Sequence, residues 1–199
     1  MIICIEGING SGKTTLGGLV AQGWIASSGE GAELLEPVQM TQFGRLIREG
    51  IMQESDLDVT AETVAFASAR LHACSMIRDL AIAKPRRLLI LERWAGAVIA
   101  YGRVAGTDSN LLGSIEHLLL KAVDIQYTFF LSIPGSVAAK RLINEQAPNK
   151  FETRGAGYLE RVNAEYRRWA EVRDVGILEG GYRAAGELAQ SVLAEIANE

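Results

Sequence analysis

The sequence predicts an α/β fold in which a five-stranded parallel sheet carries helices on both faces. Three observations predict it. Five short apolar runs alternate along the chain with longer segments of helical periodicity. The first run, Ile2-Ile3-Cys4-Ile5, is unbroken, as expected of a strand buried on both faces of a parallel sheet. Directly after it, Gly7-Ile8-Asn9-Gly10-Ser11-Gly12-Lys13-Thr14 fits G-x-x-x-x-G-K-[ST], a loop whose backbone N–H groups close around phosphate oxygens.

Composition bounds the rest. With 199 residues, 48% hydrophobic and 22% charged, the chain reads as one globular domain, and no repeat or low-complexity linker divides it. A net charge of −4 argues against nucleic acid as a partner. Cys4 and Cys74 form no spaced pair, and with only two histidines neither a disulfide framework nor a zinc site is indicated. Both thiols are expected to be buried. The chain opens directly on a core strand, so no signal peptide is expected. No apolar run approaches the ~20 residues that span a bilayer. The expectation is a cytoplasmic protein with no membrane partner.

The elements follow in order. After the first strand, glycines 7, 10 and 12 free the loop from Cβ clashes, and residues 13–27 carry Leu16, Leu19, Val20, Trp24 and Ile25 at helical spacing. The helix N-terminus adds partial positive charge beside Ser11, Gly12 and Thr15. Lys13 is placed to reach β- and γ-phosphates, and Thr14 to ligate Mg²⁺. The loop is thus expected to hold a nucleoside triphosphate. A second strand is predicted at 32–35, where Pro37 biases Glu36 towards extended backbone at the strand's C-terminal end. Ligands bind at that edge of open parallel sheets. A short helix at 42–52 and an acidic surface connection at 54–58 come next.

Residues 60–83 form a long helical pattern with Val64, Ala67, Leu71, Cys74, Ile77 and Leu80 in one stripe. Thr60 is the expected N-cap and Pro85 ends the pattern. Phe66 and Arg70, four apart, share a face. The third strand, 87–91, runs into Glu92-Arg93-Trp94, and a helix from near Trp94 reaches Tyr101. Asp108 or Ser109 caps a helix through Leu111, Leu112, Ile115, Leu118 and Leu119. The fourth strand is 127–133, and Pro134 opens a helix to about residue 144. Residues 145–157 hold Pro148, two glycines, Lys150 and Arg154, a composition that predicts a mobile loop. An amphipathic helix at 158–173 turns Val162, Tyr166 and Trp169 inward; a fifth strand (175–178) and a closing helix (184–196) complete the chain.

Five pieces, in order, resemble the thymidylate kinase family of nucleoside monophosphate kinases: the loop from Glu6 to Thr15; Glu36-Pro37; Phe66-Ala67-Ser68-Ala69-Arg70; Glu92-Arg93-Trp94 with Ala100-Tyr101; and Lys150-Phe151-Glu152 leading into Tyr158-Leu159-Glu160-Arg161-Val162. The resemblance implies a P-loop kinase fold with a short lid. It implies transfer of the ATP γ-phosphate to a deoxynucleoside 5′-monophosphate, dTMP or a related pyrimidine, with Mg²⁺ and as a homodimer. Such transfer needs in-line positioning and cations rather than covalent help. Arg93 would bind the acceptor's phosphate. Glu92 would lie near the metal, or else orient Arg93. Phe66 would stack on the base, Arg70 would bond its edge, and Tyr101 would lie against the sugar, with Glu36 at the same edge. Residues 145–157 would be the lid, excluding water. The phosphate loop has Ser11 and no arginine, so Lys150, with Arg154 behind it, would supply the lid's charge. Arg141 would lie near the adenine.

Several positions depart from the family pattern. Asn9 stands where an acidic residue commonly meets the acceptor's 3′-hydroxyl, and Glu92 where an aspartate is usual. Ala97, Val98 and Gly102 replace polar groups that read the thymine edge, and Lys150 replaces an arginine. Two other readings stay open. Glu36-Pro37-Val38 and Glu92-Arg93 also resemble deoxynucleoside kinases, in which a glutamate deprotonates a 5′-hydroxyl. Asn9 and Lys150 would also suit a P-loop module that binds nucleotide without turnover.

Overall fold

The computed structural model describes residues 1–54, 56–143 and 154–197. Alternation along the strands decides the layering. In β1 (Ile2–Glu6), Ile2 and Cys4 point to one face of the sheet and Ile3 and Ile5 to the other. The same split recurs in β3 (Leu88–Glu92), with Leu89 and Leu91 opposite Leu88 and Ile90, and in β4 (Tyr127–Ser132), with Phe130 opposite Phe129 and Leu131. Both faces are apolar, so both must be covered by helices.

One face is covered by α1 (Lys13–Ser28) and α9 (Ala185–Ile196), through Leu16, Val20, Leu188 and Val192. The other carries α4 (Val59–Ala83), α5 (Ala95–Ala105), α6 (Ser109–Ala122), α7 (Gly135–Leu142) and α8 (Gly155–Val172), which bury Ile77, Trp94, Leu119, Tyr166 and Trp169 among others. Each fully buried aliphatic side chain there contributes about 1.5–3 kcal/mol. With β2 (Ala32–Leu35) and β5 (Gly176–Glu179), the sheet is parallel throughout, in the order β2-β3-β1-β4-β5. The expected five strands are all present. In register Ile5 stands opposite Glu92, so the chain leaves β1 for the phosphate loop beside the point where it leaves β3 for Arg93.

Local differences from the sequence expectations have physical reasons. A four-residue α2 (Pro37–Met40) precedes α3 (Gln42–Gln53); Pro37 preorganises its first turn. Asp58, not Thr60, caps α4, its Oδ1 accepting from the N–H groups of Thr60 (2.9 Å) and Ala61 (3.0 Å). Val64, placed in the inward stripe by periodicity, is 43% exposed. The inward arc near that end of α4 runs instead through Thr63, Ala67 and Arg70, because the helix faces a cavity there rather than the sheet. Asp108 caps α6. Both cysteines are buried, as expected.

Candidate active site

At the C-terminal end of β1 the backbone turns sharply. Gly7 has φ +149°, and a Cβ there would lie 2.8 Å from the Leu131 carbonyl oxygen; at Gly10, φ +73°, it would lie 2.7 Å from that of Ala138. Neither position tolerates a side chain, so the loop wraps tightly below its open mouth. Gly12 leads into α1, whose N-terminus has no side-chain cap and no acid in its first turn, leaving its N–H groups directed at whatever occupies the loop. Thr15 is exposed on that first turn.

Lys13 is buried against the loop, its Nζ donating to the Ile8 carbonyl (2.8 Å) and to Ser11 Oγ (3.4 Å). Arg141, from α7, folds over the other side and donates through Nη1 to the carbonyls of Gly10 (3.2 Å) and Ser11 (2.9 Å). The Thr14 hydroxyl donates to Glu92 Oε2 at 3.1 Å, joining the first turn of α1 to the end of β3. These two oxygens fit Mg²⁺, which takes one or two protein oxygens and completes its shell with phosphate and water.

Opposite the loop lies an open-mouthed cavity with about 670 Å³ of empty space, part of it continuous with bulk solvent. Every residue marked for the acceptor lines it: Asn9, Glu36, Phe66, Arg70, Arg93 and Tyr101. They come from the phosphate loop, the end of β2, α4, the end of β3 and α5. Phe66 is half-buried and faces the cavity rather than the core. Arg70 is 5% exposed; its Nη1 donates to the Phe66 carbonyl (3.0 Å) and its guanidinium carbon sits 6.0 Å from the Phe66 ring centre. Its Nε–H is buried with no hydrogen-bond partner among the described residues. An orphaned buried donor is costly, and a carbonyl on a ligand would satisfy it where an amino group would not.

Arg93 adopts the left-handed backbone region, φ +67°, unusual for a residue with a side chain. Its guanidinium donates to Asn9 Oδ1 and lies over the Tyr101 ring, 5.6 Å from its centre. The Tyr101 hydroxyl donates to the same Asn9 oxygen (3.2 Å) and accepts from the Asn9 N–H (3.3 Å). Asn9 therefore ties the loop to both Arg93 and Tyr101.

Charge is unevenly matched here. Burial, then the nearby Arg93, pushes Lys13 well below its ordinary pKa, although Glu92, Glu6 and Glu36 oppose this. Burial likewise lowers Arg70. Burial also works against Arg93, but Tyr101, Tyr166 and Glu6 outweigh it and hold the guanidinium above its ordinary value. Three cations thus converge on a cleft that anions would relieve.

Sequence reasoning passed over three neighbours. Arg48 and Thr63 line the cavity, Arg48 pairing with Glu36 at 3.8 Å. Glu6 is fully buried behind Arg93. Lys150 and residues 145–153 of the expected lid lie outside the described residues; Arg154, at the start of α8, donates to the Tyr158 hydroxyl (3.0 Å).

Comparison with known proteins assigns the same frame. The family model described as thymidylate kinase matches residues 5–179. The thymidylate kinase of Ralstonia pickettii is 30% identical over 172 residues, covering 84% of this chain and 83% of its own. That of Synechococcus sp. is 30% identical over 187 residues, covering 85% and 87%. A probable thymidylate kinase of Methanocaldococcus jannaschii is 28% identical over 198 residues, covering 100% of this chain and 96% of its own. With the loop, the cavity and the arginine between them in place, the chain belongs to the thymidylate kinase family.

Proposed function

We propose that this protein transfers the γ-phosphate of ATP to the 5′-phosphate of dTMP, giving the diphosphate. The observation that supports this reading most is the contact between Arg93 and Asn9. It sets a cation suited to an acceptor phosphate at the mouth of the loop suited to the donor. The loop amides and Lys13 bind the donor's phosphates, and Arg141 covers its nucleoside side. Thr14 and Glu92 would hold Mg²⁺, which supplies neutralisation of the phosphate oxygens. Arg93 fixes the acceptor phosphate in line, and a guanidinium fork suits that task. Phe66 stacks on the base, the Arg70 Nε–H reaches for a base carbonyl, and Tyr101 packs on the sugar beside Asn9. Glu36 holds Arg48 at the cavity's edge. Lys150 completes the charge from the lid, 145–157.

The wall formed by Ala97, Val98, Gly102 and Ala105 is apolar. It favours pyrimidines carrying an apolar group at position 5: thymine, and larger 5-alkyl homologues. We also propose a cytoplasmic homodimer, supported by the exposed apolar side chains Val64 and Met76 of α4 and Leu118 and Leu120 of α6. No described helix is long and apolar enough to cross a membrane.

The test is a phosphoryl-transfer assay with ATP and Mg²⁺ over deoxynucleoside monophosphates, 5-alkyl dUMP analogues and thymidine. The expected result is turnover of dTMP and 5-alkyl analogues, with kcat/KM at least ~100-fold above dCMP, whose amino group mismatches Arg70. Phosphorylation of thymidine alone, or ATP binding without transfer to any acceptor, would overturn the proposal.

A further inference from the structure

Glu6 is the last residue of β1 and is fully buried. A carboxylate there is costly unless each oxygen is bonded, and both are. Its Oε1 accepts from the Trp94 N–H at 2.8 Å, and its Oε2 accepts from the Tyr166 hydroxyl at 3.2 Å. Trp94 is the residue after Arg93 and the N-cap of α5, a helix with no side-chain cap of its own and no acid in its first turn. Glu6 supplies both from a neighbouring strand, meeting an orphan N–H and the positive end of the helix. Room for the carboxylate depends on Gly96: a Cβ there would lie 3.0 Å from the Glu6 carboxyl carbon and 2.7 Å from Trp169 Cζ3.

The peptide groups around Arg93 are therefore held twice by β1. The Arg93 N–H donates to the Ile5 carbonyl (3.1 Å) and the next N–H to the Glu6 side chain. Between the two bonds the backbone sits in the left-handed region, which a non-glycine residue keeps only when its surroundings enforce it. The residue after Glu6 begins the phosphate loop.

We infer that Glu6 is a positioning residue: through the Trp94 N–H it holds the left-handed turn that aims Arg93 at the acceptor phosphate, in fixed register with the donor loop. Tyr166 steadies the carboxylate from α8, itself packed face to face on Phe130 with ring centres 5.2 Å apart. The inference rests on Arg93 gripping the acceptor.

The test compares full-length Glu6→Ala, Glu6→Gln and Tyr166→Phe, each with native Arg93 and with Arg93→Ala, reading dTMP dissociation constants, the KM for ATP and urea unfolding. Arg93→Ala alone tests the underlying reading and is expected to weaken dTMP about 100-fold. If it does not, that reading fails, whatever Glu6 does. Glu6→Ala is expected to weaken dTMP about 30-fold with the KM for ATP within about 2-fold, and Glu6→Gln, which keeps an oxygen for Trp94, to recover most of that loss. In the Arg93→Ala background Glu6→Ala should add less than about 2-fold, the signature of one residue acting through another. Equal losses in both backgrounds, a folded Glu6→Ala with native dTMP binding, or a Glu6→Gln as weak as the alanine would each overturn the inference. Should Glu6→Ala fail to fold, Tyr166→Phe decides: a loss of about 3-fold confined to the native-Arg93 background supports positioning, and no loss or equal losses overturn it.

Discussion

The donor and acceptor halves of the site are made of different parts of the polypeptide. Around the phosphate loop the working groups are mostly main-chain amides on one contiguous stretch, shaped by glycines where a Cβ would strike Leu131 or Ala138. Across the cleft they are side chains from three helices and two strand ends: Glu36, Arg48, Phe66, Arg70, Arg93, Tyr101. A backbone site depends on local geometry and admits little change. A side-chain site depends on the whole fold, and its walls can be exchanged one residue at a time. On the proposed function, the donor half therefore fixes the chemistry, and the acceptor half selects the substrate.

The largest effect should come from the donor half. Lys13→Ala is expected to lower kcat by 10³-fold or more, about 4 kcal/mol of transition-state stabilisation. Its unfolding midpoint should stay near native, because a buried cation is removed without opening the core. Kinetics beside urea unfolding checks both; a variant retaining a tenth of native kcat would erase the contrast between the halves. Phe66→Ala probes the acceptor half and should raise the acceptor KM about 10-fold with kcat within about 3-fold, since stacking acts equally in ground and transition states. A Phe66→Ala protein that unfolds instead would return the ring to the core.

The smallest effect is a proton. Burial lowers Lys13 in the free protein, and bound phosphates favour its charged form. At any pH between that lowered value and the ordinary 10.5, the ATP complex holds more proton than its separated parts. Binding then takes up a fraction of a proton, and ATP affinity weakens as pH rises across the window. Calorimetry in buffers of different ionisation heat measures the uptake. It should vanish in Lys13→Arg, whose guanidinium stays charged.

This division also governs what the sequence could reveal. The strand–loop–helix context of Gly7 to Thr14 is contiguous, and short apolar runs marked all five strands within a residue or two. Asp58 displaced Thr60 as the cap of α4 because two residues with capping chemistry stand two apart, and only geometry chooses between them. The four-residue α2 is too short for periodicity. Val64 was misplaced because α4 turns one arc to the core and another to the cavity, which a single apolar stripe cannot describe. Phe66, Arg70, Arg93 and Tyr101 were legible only through resemblance. Arg48 and Thr63 carry no pattern that distinguishes them from solvated or packing residues. In the sequence Glu6 stands only as the first residue of the loop stretch that carries the resemblance; its place became readable only once Trp94 and Tyr166 stood beside it.

The Arg93 N–H ends on the carbonyl of Ile5, in the innermost strand of the sheet. On the proposed function, the gap between the two reacting nucleotides is thus measured off against the most durable layer of the molecule. Breathing of surface helices can loosen the choice of base long before it alters that gap. Evolution could retool what this enzyme phosphorylates without touching how far the phosphate travels.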